Sequence, residues 1–157
     1  MIEIIFLGTG TSQGIPIIGS SHPVCQSQNQ KDKRLRASLG LKWNRFFFVI
    51  DCGPDFRQQM LNCGTKKLDG ILYTHEHADH TAGLDDIRPF YFRQGEINLI
   101  LTKRVLNFLR KRFDYIFEGY NKYPGAPSVK VKIRNKNKKF ILGNKEIIPI
   151  EVLHGRL

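Results

Sequence analysis

The sequence predicts one domain of mixed α/β or α+β class over residues 1–157, and three observations carry that prediction. Apolar runs such as Ile2 to Leu7 and Phe46 to Ile50 are short and end in Gly, Asn or Asp, the signature of buried strands. Stretches with helical spacing of apolar residues are interleaved with them. The composition, 41% apolar and 25% charged, is that of a globular chain long enough to enclose one core.

Taken in order, Ile2 to Leu7 reads as a strand running into the turn Gly8-Thr9-Gly10-Thr11. Gln13 to Lys33 is polar and punctuated by glycine and proline, a loop long enough to expect a functional role. Leu39 to Trp43 and Phe46 to Ile50 predict a hairpin joined at Asn44-Arg45. After Asp51-Cys52-Gly53, Pro54 suits the first turn of a helix whose apolar side carries Phe56, Met60 and Leu61, with Gly64 as its stop. Leu68 to Tyr73 and Ile97 to Leu101 predict two further strands. Lys103 to Glu118 predicts one helix with Val105, Leu109, Phe113 and Ile116 on its buried side. Val129 to Arg134 alternates, so Val129, Val131 and Ile133 should face a core and three cations should face out. Ile147 to Val152 predicts the last strand, and His154 follows it.

Several classes of function are already excluded. No apolar run is long enough to cross a bilayer, and the first residues carry no basic leader, so a soluble cytoplasmic protein is expected. The three cysteines are an odd set without the spacing of a disulfide framework. A net charge of +11 suits an anionic partner such as a phosphate ester, nucleotide or nucleic acid, and equally suits a solubility role. Six of those cations, Lys130, Lys132, Arg134, Lys136, Lys138 and Lys139, lie in one run that reads first as a lysine-guarded sheet edge. A stripe against nucleic-acid phosphates is the other reading.

Chemistry concentrates at Thr74-His75-Glu76-His77-Ala78-Asp79-His80. In an extended segment His75 and His77 point to one side, and a turn into helix would swing Asp79 and His80 to a neighbouring side. Two metal ions would be served, one on His75 and His77 and the other on Asp79 and His80. Imidazole and carboxylate without thiolate suit Zn²⁺ with an open position, and also admit Mn²⁺ or Fe. A helical HExxH site would need histidine at position 79, which is aspartate, and no cysteine lies close enough for a structural zinc finger.

His-x-His-x-Asp-His after a buried strand resembles the metallo-β-lactamase superfamily. The likeness extends to Phe6-Leu-Gly-Thr-Gly-Thr-Ser12, to Asp51-Cys-Gly-Pro-Asp55 with Arg57, and to Gly83-Leu-Asp-Asp-Ile-Arg-Pro89. Together these resemble the branch that contains phosphoribosyl cyclic phosphodiesterase, with ribonuclease Z a more distant cousin.

The resemblance implies an αββα sandwich of class α+β, present as its amino-terminal portion with an incomplete second sheet. It implies a first metal on His75, His77 and His154 and a second taking Asp79 and His80. A metal-bound hydroxide, oriented by Asp79, would attack the phosphorus of a cyclic phosphate or other small phosphodiester. Asp51 would brace the histidine loop by hydrogen bonding, or else cap the helix before Pro54. Asp85 is expected to support the site from behind, and Arg88 to be a solvated helix charge.

Family members are longer and carry a bridging aspartate and a further histidine beyond the position of Leu157. The chain is therefore expected to complete one metal site and half of the other. It would be a truncated product, be completed by another chain, or lack catalysis. A bare apolar face and association, with a second copy or a completing segment, are expected with it. Relatives place a Cys-x-Cys-x-x-Cys run in the long loop for a structural zinc. Here Ser20-Ser21-His22-Pro23-Val24-Cys25 leaves only His22 and Cys25 as ligands, which favours a plain polar loop. The leading expectation is a phosphodiesterase, followed by a ribonuclease Z-like nuclease and then by a non-catalytic metal-binding module.

Overall fold

A computed structural model describes residues 1–119 and 122–154 of the chain. Its centre is a six-stranded sheet in the order β1 (Glu3–Gly8), β2 (Ser38–Trp43), β3 (Phe46–Ile50), β4 (Gly70–Leu72), β5 (Ile97–Leu101) and β6 (Val129–Ile133). The first three strands form an antiparallel meander, and β3 to β6 run parallel. Parallel neighbours need crossovers, and helices supply them. A short helix α1 (Pro23–Gln26) lies in the long loop, and α2 (Phe56–Cys63) links β3 to β4. The β4 to β5 connection carries α3 (Ala78–Thr81) and α4 (Arg88–Gln94), and α5 (Lys103–Arg112) and α6 (Asp114–Phe117) precede β6. A hairpin of β7 (Phe140–Leu142) and β8 (Lys145–Ile147) forms a separate two-stranded sheet.

Two apolar layers sandwich the central sheet. On the helix side Phe47, Val49, Ile71, Leu99 and Leu101 pack against Phe56, Met60, Leu84, Val105 and Leu109. On the other side Trp43, Phe48 and Ile100 pack against Leu142, with Phe140 and Ile147 of the hairpin closing over them. Ile4 is in register with Leu41, and Leu41 with Phe48, so Ile4 lies on this second face. The hairpin does not reach that edge: Ile4 and Phe6 are 58% and 71% exposed. The expected bare apolar strip is therefore present among the described residues. No helix among them is long and apolar enough to cross a membrane.

The structure corrects several expected elements. The helix expected from Pro54 begins at Phe56, with Asp55 as its N-cap and Gly64 in the left-handed conformation that closes it. Its buried side is Phe56, Gln59 and Met60, and Leu61 is 58% exposed because position 61 falls on the solvent side of so short a helix. The single helix expected over 103–118 is two, broken at Phe113, whose ring is buried instead of continuing the turn. β6 buries Val129 and Val131 on the helix side, but Ile133 is left exposed where its neighbour β5 ends at Leu101. The strand expected over 147–152 stops at Ile147, as Pro149 brings no N–H to a ladder and Ile150 and Val152 remain exposed. β6 closes one edge of the sheet, as the lysine-guarded reading of the cationic run expects. Within that run Lys136 pairs with Glu151 and Lys139 with Glu146.

Candidate metal centre

The parallel strands deliver their following loops to one end of the sheet, the usual place for a site in an open sheet of this kind. Asp51 follows β3, Thr74 to His77 follow β4, and Thr102 to Arg104 follow β5. The chain after β4 stays extended through His77 and then turns into α3, with His77 as the N-cap. That turn places Asp79 and His80 on α3, yet His80 still meets the histidine pair, its ring centroid 4.1 Å from that of His75.

His75 Nε2 and His77 Nδ1 stand 3.1 Å apart. His154, 79 positions further along the chain than His75, brings its ring to centroid distances of 4.8 Å from His75 and 5.4 Å from His77. One ligand atom from each of the three lies within 4.8 Å of the others, and this is the group of three or more such ligands found among the described residues. Two zinc–nitrogen bonds of about 2.1 Å at a tetrahedral angle bridge nitrogens about 3.4 Å apart. The His75–His77 pair at 3.1 Å matches that separation, and three imidazoles are a donor set that suits Zn²⁺, with the 4.8 Å triangle closing by about 1 Å around the ion. On the adjacent side His80 Nε2 is 3.2 Å from Asp79 Oδ2, an imidazole and a carboxylate facing one another.

Asp51 organises both histidine groups. Its left-handed backbone (φ 63°) is unusual for a residue with a side chain, and it is only 4% exposed. Oδ1 accepts from the Thr74 backbone N–H at 2.8 Å, and Oδ2 accepts from the Thr74 hydroxyl at 2.7 Å. Oδ2 is also 2.7 Å from His80 Nδ1. Because an ionised carboxylate only accepts, the proton facing Asp51 sits on His80 Nδ1, so Nε2 donates to Asp79 when the ring is cationic and is the nitrogen open to a metal when it is neutral. The single Thr74 hydroxyl proton is used on Asp51, so Thr74 Oγ1 accepts from His75 Nδ1, 2.9 Å away. His75 Nε2 is thereby left bare towards His77. One buried carboxylate thus sets the tautomer of two candidate ligands.

Electrostatics follow the same geometry. The Asp51 hydrogen bond holds the His80 ring above its ordinary pKa, against the opposing effect of burial. His75 is held below its ordinary value by burial and then by the neighbouring His80, which favours the neutral, ligating form.

Backbone packing makes the site rigid. Cys52 N–H donates to the His80 carbonyl and Gly83 N–H to the Cys52 carbonyl, lacing the loop after β3 to α3. A Cβ on Gly53 would lie 2.0 Å from the Asp79 carbonyl oxygen, so only glycine permits this approach. The Thr81 hydroxyl, fully buried, donates to the His77 carbonyl at 2.9 Å.

The other predicted residues lie elsewhere. Asp51 is not a helix cap, since Asp55 occupies that position. Asp85 accepts from the Tyr115 hydroxyl at 3.1 Å and pairs with Arg88 at 2.9 Å, so its carboxylate braces α4 and the Tyr115 ring. Burial and the Asp85 hydrogen bond push the Tyr115 phenol up to about 12. Arg88 is thus paired, not merely solvated. His22 Nδ1 caps α1 by accepting from Val24 N–H, and the Cys25 thiol accepts from Ile17 N–H. No group of three ligands forms around His22 and Cys25 among the described residues. Sequence reasoning missed Thr74, Thr81 and Arg104, although the first two are hydroxyls flanking the histidine run.

A sheet layered with helices and a three-histidine cluster after a strand define a metallohydrolase-type fold. The chain matches the family described as a beta-lactamase superfamily domain over residues 47–157, and it belongs to that superfamily. A protein named octanoyltransferase from Porphyromonas gingivalis is 40% identical over 157 residues, 99% of this chain and 32% of the relative. A ribonuclease Z from a Bradyrhizobium species is 33% identical over 88 residues, 54% of this chain and 23% of that protein. Among solved structures, a diphosphatase of the PhnP family superposes with a TM-score of 0.87 at 35% identity, covering all of this chain and 60% of the other. A zinc-bound PqqB from Methylobacterium extorquens shares the fold, with a TM-score of 0.77 at 18% identity over 97% of this chain and 56% of its own. The chain thus spans about a third of the P. gingivalis relative and 60% of the PhnP-family structure.

Proposed function

We propose that this chain belongs to a metal-dependent hydrolase acting on a small phosphodiester, cyclic or linear. The observation that carries the reading is the convergence of His75, His77 and His154 within 4.8 Å, beside the Asp79–His80 pair. His75, His77 and His154 would hold one Zn²⁺ ion, and Asp79 and His80 would contribute to a second. Zinc held there would supply a Lewis acid for a phosphoryl oxygen and lower the pKa of a water molecule. Asp79, whose carboxylate faces His80 Nε2, would orient the attacking water, and Asp51 would hold the proton of each neutral histidine on Nδ1, which leaves Nε2 to a metal. The likeness to a PhnP-family diphosphatase supports phosphorus as the reacting centre. The octanoyltransferase name describes a relative of which the matched region is 32%, and the three-imidazole cluster is metal-ligand chemistry.

A ribonuclease is the second reading. It draws on the ribonuclease Z relatives and on Lys130 and Lys132, which lie on the sheet-edge strand and share the register of Asn98 and Ile100 on the second face. The test is zinc content per chain together with turnover of bis-p-nitrophenyl phosphate, a cyclic nucleotide and a structured RNA. Tightly held zinc with turnover of the small diesters is the expected result. Zinc-dependent cleavage of RNA alone would move the assignment to the nuclease, and a protein without zinc or turnover would refute both readings.

A further inference from the structure

We infer that Arg104 is a positioning residue for the histidine loop, acting through Glu76; the inference rests on the metal-centre reading above. It starts from a local rule that the sequence breaks. α5 opens with Thr102 as its N-cap and then places Lys103 and Arg104 in the first turn, with no acid there. The amino end of a helix carries partial positive charge, so a cation in that turn is disfavoured. The cations in the last turn, Arg110, Lys111 and Arg112, sit at the favourable end. Breaches of local preference of this kind concentrate where a site needs them.

The Arg104 guanidinium leaves its own helix and clamps Glu76, with Nε at 2.7 Å and the second nitrogen at 2.5 Å from the same carboxylate oxygen. Exposure assigns the dependence. The Glu76 side chain is 14% exposed and that of Arg104 is 61%, so the carboxylate is the group that needs its partner. Glu76 stands between His75 and His77. In an extended segment its side chain leaves on the side opposite to theirs. The arginine therefore pulls on the back of the segment whose front presents the two ring nitrogens 3.1 Å apart. Asp51 secures the start of the loop through Thr74, and Thr81 secures its backbone at His77. Arg104 adds a tie from the first turn of α5, across a sequence separation of 28 residues. Without it a largely buried carboxylate beside the histidines is left unpaired, and the segment must shift to solvate it.

The experiment compares zinc affinity by chelator competition for the full-length protein and its Arg104→Ala, Arg104→Lys, Arg104→Gln and Arg110→Ala variants. Visible spectra of the cobalt-substituted forms and melting of the metal-free forms are recorded alongside. Arg110, on the same helix as Arg104, pairs with Glu118 at the end of α6, so its variant removes a surface charge without touching the loop. Arg104→Ala is expected to weaken zinc binding about tenfold, the size of effect typical of residues that orient ligands, and to shift the cobalt bands. Arg104→Lys should recover most of the affinity, and Arg110→Ala should match the parent. Arg104→Gln, which keeps the aliphatic stem, should behave like alanine while preserving packing if alanine lowers the metal-free melting point. Zinc affinity within twofold of the parent in both Arg104→Ala and Arg104→Gln would overturn the inference and leave the metal centre standing. A parent protein that binds no zinc would overturn the metal centre itself.

Discussion

Replacing Asp51 with asparagine tests the account of the site at its most constrained atom. Asparagine tolerates the left-handed backbone at position 51 as well as aspartate does, so the change isolates charge and proton placement from backbone strain. The amide oxygen still accepts from Thr74 N–H, but the amide nitrogen now faces the Thr74 hydroxyl and His80 Nδ1, which both donated to Oδ2. The imidazole must then carry its proton on Nε2, pointed at Asp79. Hydrogen bonds to charged groups are worth about 1.5–3 kcal/mol each, and the amide recovers part of the two that are lost. The expected cost is about 2–3 kcal/mol, a melting-point drop of roughly 6–10 °C for a domain of this size. Zinc affinity should fall by about 10- to 100-fold. The pH dependence has a definite sign. His80 in the folded protein has a pKa above 6.5, so its contribution is fully present below 6.5 and is lost as pH rises through the folded value. The melting-point gap between parent and variant of the metal-free protein should therefore be wider at pH 5.5 than at pH 8. Equal gaps would refute the charge pairing of Asp51 with His80, and zinc affinity within threefold of the parent would refute the tautomer argument.

Three further outcomes follow from the same geometry. Gly53→Ala should cost about 1–3 kcal/mol and weaken zinc together, because its Cβ meets the Asp79 carbonyl oxygen at 2.0 Å; a urea midpoint and a zinc titration read both. His154→Ala should reduce zinc affinity more than tenfold while leaving metal-free stability within about 0.5 kcal/mol, since the ring is exposed; calorimetric titration and melting separate the two. Asp86→Asn should raise the melting point at pH 7. Burial and then the Asp85 charge hold the Asp86 carboxyl above its ordinary value, so ionising it disfavours the fold. That penalty is absent below pH 3.8 and complete above the folded value, so melting curves at pH 3 should coincide.

Much of the molecule was legible before its structure. The hairpin at Asn44, the strand over 97–101 and the stop at Gly64 are decided by alternation and turn chemistry within a few residues, and all three are present. The same holds for the front of the site. His75 and His77 come together as alternation in an extended segment expects, and Asp79 and His80 lie on the turn into α3, with the His80 ring centroid 4.1 Å from that of His75. What spacing could not supply is everything joined across the sheet. The Asp51–His80 bond spans 29 residues and the Arg104–Glu76 clamp 28, and each depends on which strands lie side by side. The break at Phe113 likewise came from packing, which overrode a helical period, whereas the end of β8 at Ile147 was legible in Pro149. Local residue order determined the ligand types, their spacing and the class of fold. The order β3-β4-β5 determined which carboxylate sets the tautomers and which arginine holds the loop, since partners distant in sequence meet only when the sheet has chosen its neighbours.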